Sequence, residues 1–184
     1  LVFIINKLRK CGPTNQLIYI LKNLDYNIFR PTIITLFHED KNSINSDFEK
    51  LDIDIIKIKS KNLIDLFFKL RKIIRIINQR FDILHSTGII ADFISINPFL
   101  KIKSLSSVRN YPYDDYPTKF GFILGNLLSF LHLQILKKTT NIACSEFIKN
   151  KLKSHNIFSY VIKNGIEINS STQISIDNAR IHLN

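Results

Sequence analysis

Strand-like and helix-like patterns alternate along nearly the whole of this chain, and that alternation leaves few fold classes open to it. Residues 1–6 begin with an unbroken apolar run, as in a strand buried on both faces. After a loop at 7–13, Thr14 or Asn15 can cap a helix whose Leu17, Ile18, Leu21 and Leu24 recur at helical spacing. Further strands are predicted at 32–37, 53–58, 81–85, 104–108, 141–144 and 159–162. Helices are predicted at 47–51, 63–78, 88–96, 119–137 and 145–154, with a loop rich in Tyr and Pro at 109–117. Repeated strand–helix units with short links imply an α/β, Rossmann-like fold, a parallel sheet with helices on both faces. In such sheets ligands bind at the carboxyl ends of the strands. The loop after Asn6, His85, Arg109 and Ser145 fall at such ends and are expected to share one rim.

A length of 184 residues suits one sizeable core and is short for two full domains. Hydrophobic residues at 45% and charged residues at 22% exclude a disordered chain. The formal net charge of +11 favours anionic partners: nucleic acid, acidic lipid or phosphorylated substrate. Two cysteines, Cys11 and Cys144, are too few for a disulfide scaffold and lack ligand spacing, so neither a metal nor another cofactor is expected. The chain contains no Met and shows no signal-peptide pattern, which reads as a processed chain or a fragment.

Four stretches carry residues suited to chemistry. Gly12, Pro13, Thr14 and Asn15 stand between the first strand and first helix, where a free helix N-terminus suits a phosphate or a sugar hydroxyl. The later glycines of a dinucleotide fingerprint are missing, so a tight turn explains them equally well. His85 closes the fourth strand, where it can donate, accept or shuttle a proton, although a lone His serves structure as readily. Arg109, Asn110, Tyr111, Tyr113, Asp114, Asp115 and Tyr116 follow the fifth strand. Tyr rings stack on sugars, Asp accepts from their hydroxyls and Arg grips a phosphate with two bonds, so this density favours a binding role. Asp114 and Asp115 are sequence neighbours and are not read as a paired acid and base. The fourth stretch, the basic 63–78 helix, is expected to cover the sheet with a solvated basic face, or else to lie on an anionic membrane. The uncharged stretch 120–136 reads as a buried or membrane-touching helix, too short and too polar to span.

Several short motifs, in order, resemble a known family. They are the Gly12 loop, Phe81-Asp82-Ile83-Leu84-His85-Ser86, Asn141-Ile142-Ala143-Cys144-Ser145-Glu146 and Val161-Ile162-Lys163-Asn164-Gly165-Ile166. Together they resemble the N-terminal domain of family 4 glycosyltransferases of the GT-B fold, especially bacterial members that build surface polysaccharides. The resemblance implies a Rossmann-like acceptor-side domain over 1–163. It makes 164–184 a linker and the truncated start of a donor-binding domain. It implies transfer from a nucleotide-sugar donor to a glycan or lipid-linked acceptor, with retention and without a metal. This portion would be inactive alone, because the Glu-containing donor motif has no counterpart. Many members carry a sugar-contacting His after the fifth strand. Here Arg109-Asn110 stands there, so Arg109, Asn110 or His85 would take that polar role. Ser145 falls on a family motif and joins the expected substrate-binding set.

The alternatives are a sugar-nucleotide epimerase of the same fold and a basic lipid- or nucleic-acid-binding module. Most Phe residues fall at positions read as buried, so no nucleic-acid partner is expected. The expected location is cytoplasmic, with peripheral contact at the inner face of the membrane.

Overall fold

The computed structural model describes residues 1–40, 43–51 and 53–165. Seven strands form one sheet: β1 (Val2–Ile5), β2 (Thr32–Phe37), β3 (Asp54–Ser60), β4 (Ile83–Ser86), β5 (Lys103–Val108), β6 (Thr140–Ala143) and β7 (Ser159–Val161). Their order is β3-β2-β1-β4-β5-β6-β7, and each neighbouring pair is parallel. The helices are α1 (Gly12–Lys22), α2 (Asn45–Glu49), α3 (Leu63–Arg80), α4 (Ile89–Ser95), α5 (Pro112–Phe120), α6 (Phe122–Leu136) and α7 (Glu146–Lys153). The Rossmann-like α/β fold is therefore present.

Successive side chains of a strand point to opposite faces, and β1 shows what each face meets. Val2 and Ile4 join Ile34 and Leu84 against Ile73 and Ile77 of α3 and Ile94 of α4. Phe3 joins Ile33 on the other face against Leu17 and Leu21 of α1 and Phe48 of α2. Val108 and Ala143 carry the core onward to Leu133 and Leu136 of α6 and Leu152 of α7. Each Val, Ile, Leu or Phe among them contributes about 2 kcal/mol by leaving water, which fixes the helices on both faces.

Strand order reverses at β1, which lies between β2 and β4. The crevice at such a reversal opens beyond the carboxyl ends of the two diverging strands. The register sets Phe3 of β1 beside His85 of β4, so His85 stands at that point.

Three expectations need correction. Helix α1 starts at Gly12 with extended Cys11 as its N-cap, so Gly12, Pro13, Thr14 and Asn15 are its first turn, not a loop and cap. Pro13 explains the early start, since its missing N–H is tolerated there. The stretch expected as a loop at 109–117 largely folds as α5. Pro112 opens that helix, and Asp114 and Asp115 in its first turn favour the positive end of the dipole. The helix expected over 119–137 is broken at Gly121, whose φ of 79° an L side chain rarely adopts. Beyond it, a Cβ on Gly125 would overlap the Pro117 backbone, so glycine lets α5 and α6 touch.

The reading of most Phe residues as buried also fails, because nine of fourteen are exposed. No helix among the described residues is long and apolar enough to cross a membrane. The expected linker at 164–184 lies outside the described residues from 166 onward.

Candidate functional site

A cavity of about 500 Å³ opens at the carboxyl ends of β1, β4 and β5, closed on its sides by the start of α1 and by α5. Of the residues singled out in the sequence, Pro13, Thr14, His85, Arg109, Asn110, Asp115 and Tyr116 line it.

His85 Nε2 lies 2.7 Å from Ser107 Oγ, and its ring packs 5.0 Å from the Phe3 ring. Burial, helped by the Arg109 charge and opposed by Asp92, holds its pKa down at about 4. The imidazole is thus neutral near pH 7, a hydrogen-bonding group rather than a cation.

Arg109 lines the cavity together with the cations Lys7, Arg9 and Lys119. Its Nη1 donates to Asn164 Oδ1 at 3.1 Å, while its buried Nε has no hydrogen-bond partner among the described residues. Burial lowers its pKa, with Cys144 and Cys11 acting the other way. Among the described residues no carboxylate pairs with it, whereas Lys7 is held by Asp40 at 2.8 Å and Lys119 by Asp115 at 2.7 Å. An unneutralised guanidinium in a cleft seeks an anion.

The lining near α5 is polar and cross-linked by hydrogen bonds. Asn110 Nδ2 donates to Asp115 Oδ1 at 3.2 Å. The Tyr116 hydroxyl meets His132 Nδ1 at 2.7 Å with the rings stacked, and His132 Nε2 meets Asp92 Oδ2 at 2.8 Å. Burial first, then Asp92 and Asp115, raises the Tyr116 pKa, so its hydroxyl stays protonated. Sequence reasoning missed Asp92 and His132. The available signal was a single ionisable residue inside each of two apolar helices.

Other expected residues lie elsewhere. Tyr111 is buried in the α6–α7 core, its hydroxyl 2.5 Å from His155 Nε2, and Tyr113 packs beside the same imidazole. Asp114 pairs with Lys151 at 2.8 Å. Ser145 does not line the cavity; its Oγ caps α7 by accepting from the Ile148 N–H at 3.3 Å. Gly12 and Asn15 are outside the lining as well.

No protein-family model matches the sequence. No curated protein matches it either. Solved structures do: Alr3699/HepE of Anabaena in complex with UDP, with UDP and glucose, and with UDP-glucose align at TM-score 0.72 and 17%, 15% and 16% identity. Each alignment covers 99% of this chain and 49% of the HepE chain, so this chain spans about half the length of that protein. The chain has the Rossmann-like α/β fold of one half of a GT-B structure.

Proposed function

We propose that this chain is the acceptor-side part of a glycosyltransferase, transferring a sugar from a nucleotide-sugar donor to a glycan or lipid-linked acceptor. The observation that carries the reading is the cavity at the strand-order reversal, where Arg109 has no carboxylate partner among the described residues and shares the lining with polar Asn110, Asp115 and Tyr116. The fold it shares with HepE, whose structures hold UDP and UDP-glucose, supports a nucleotide-sugar donor. The motifs at 81–86, 141–146 and 161–166 support family 4 and the building of surface polysaccharides.

In this reading Asn110, Asp115 and Tyr116 hold hydroxyls of the acceptor. The acceptor oxygen bonds the anomeric carbon as the bond from that carbon to the diphosphate breaks. The hydroxyl proton leaves with the diphosphate. Arg109 faces the negative charge that grows on the leaving group, and neutral His85 orients a hydroxyl beside it. Donor binding falls mainly to a second domain.

The test is a transfer assay. The isolated chain is expected to give no product from any nucleotide sugar, and co-expression with a matching donor-binding half is expected to restore transfer. Robust turnover by the chain alone would overturn this division of labour.

A further inference from the structure

We propose that Asn164 is a positioning residue for an anion in the cavity, which it serves by orienting Arg109 without cancelling its charge. The path of the chain brings Asn164 to this place. Strand β7 is an edge of the sheet, and just past it Ile162 donates its N–H to the Ala143 carbonyl of β6 at 3.0 Å. Beyond Ile162, the Gly165 carbonyl accepts from Gln16 Nε2 at 2.8 Å. Gln16 belongs to α1, which follows β1 in the interior of the sheet. The stretch 162–165 therefore turns back from the sheet edge toward α1, the helix whose start closes one side of the cavity. Asn164 lies within that stretch, and its Oδ1 accepts from Arg109 Nη1 at 3.1 Å.

Arg109 is thereby fixed at both ends. Its backbone carbonyl accepts from Cys144 Sγ at 3.1 Å, just after β5. At the other end, Asn164 holds the guanidinium. A free Arg side chain samples many rotamers, and an anion that binds it must halt that motion. Asn164 halts it in advance, which lowers the cost of binding. The chemistry of the partner matters as much as its place. Lys7 and Lys119, which share the lining, each face a carboxylate that offsets their charge. Arg109 has a neutral amide instead, so its positive charge is left for a ligand. An Asp at this position would grip the same nitrogen and cancel that charge.

The bond acts in both directions. Whatever steadies Arg109 also steadies the stretch that carries Asn164, so an anion in the cavity and the docking of 162–165 on α1 support each other. Docking for stability alone is already served by Gln16, which does not line the cavity. The coupling rests on Arg109 as the anion holder of the proposed transfer.

Pyrophosphate is the probe, titrated into the full chain and followed by nuclear magnetic resonance. Asn164→Ala is expected to weaken its binding about three-fold. Asn164→Asp, close to the native residue in shape, is expected to weaken it about ten-fold or more. A role in shape alone predicts the reverse order. In an Arg109→Ala background, Asn164→Ala is expected to add nothing. The Gly165 amide signal of the wild-type chain is expected to shift with pyrophosphate, and Arg109→Ala is expected to abolish that shift. Asn164 is exposed, and circular dichroism checks that each variant folds. Tighter binding by Asn164→Ala would make Asn164 a competitor of the anion and overturn the proposal. A milder effect of Asn164→Asp than of Asn164→Ala, or an equal effect of Asn164→Ala without Arg109, would overturn it as well. Weakening by Arg109→Ala with none by Asn164→Ala would remove the coupling and leave the proposed transfer standing. No pyrophosphate binding, or an affinity that Arg109→Ala leaves unchanged, would remove the anion site itself and the coupling with it.

Discussion

His132 Nε2 stands 2.8 Å from Asp92 Oδ2, and the same ring turns its Nδ1 to the Tyr116 hydroxyl at 2.7 Å. Three helices are tied at one point, since Asp92 belongs to α4, His132 to α6 and Tyr116 to α5. Ser86 Oγ donates to the other carboxylate oxygen of Asp92 and anchors the set to β4. The Asp92 and His132 side chains are only 1% and 6% exposed, so water cannot replace a lost partner. This buried chain fixes α5 as a wall of the cavity.

The middle of that chain and its outer end are expected to respond unequally. His132→Ala leaves the Asp92 carboxylate buried with an unmet acceptor, at a cost of roughly 3 kcal/mol. Tyr116→Phe removes one hydrogen bond at the cavity edge and costs about 1 kcal/mol. Urea unfolding measures both. A Tyr116→Phe cost equal to or above that of His132→Ala would mean that the Asp92 pair does not anchor α5.

Gly125→Ala tests the same wall from the other side. The added methyl would overlap the Pro117 backbone, which has no flexible end to move aside. A loss of about 3 kcal/mol is expected, through separation of α5 from α6. Ala at exposed Gly12, where a Cβ meets nothing, is the control and is expected to stay within about 0.5 kcal/mol. Thermal melts of the two variants decide it, and similar melting points would discount the close approach.

What could be read from the residues depended on whether the physics was local. The apolar run at 1–6 and its repeats fix a parallel sheet, and the strand-end rule then places His85 and Arg109 at one rim. Helix α5 was hidden because Tyr and Pro suggest a loop, although Pro112 with Asp114 and Asp115 is also a helix-start pattern. Tyr111 lies in the core against His155 and not in the cavity lining, because aromatic density alone cannot distinguish a sugar face from a core. Asp92 and His132 are 40 residues apart, and only packing of α4 on α6 brings them together. Four of the nine exposed Phe residues, Phe67, Phe68, Phe122 and Phe130, lie on α3 and α6, where nothing in either helix alone reveals which turns reach past the core.

His85 gives the stability a pH dependence. Its folded pKa of about 4 lies below the ordinary His value of 6.5, mainly through burial. Between those values the unfolded chain binds more protons than the folded one, so stability rises with pH through that window. The contribution is fully present above about pH 6.5 and is lost as pH falls toward 4, amounting to roughly 3 kcal/mol. His85→Asn is expected to flatten that part of the profile while leaving the slope at higher pH unchanged. Urea midpoints at several pH values across the window would show it, and an unchanged slope in the variant would exclude His85 as the source.

Arg109 is expected to separate binding from stability. Its guanidinium is partly desolvated, its Nε unpartnered and its one described side-chain hydrogen bond is to neutral Asn164. An anion in the cavity would gain charge-assisted hydrogen bonds, each worth about 1.5–3 kcal/mol. Arg109→Ala is therefore expected to weaken pyrophosphate binding about ten- to a hundred-fold. Stability is expected to change little, because no ion pair with a described carboxylate is lost. Arg109→Lys restores charge without the planar fork and is expected to recover only part of the affinity. Nuclear magnetic resonance titration reads this directly, since the arginine Nε–H signal of the wild-type chain shifts as pyrophosphate fills the cleft. Pyrophosphate affinity that survives Arg109→Ala unchanged would remove Arg109 from the site.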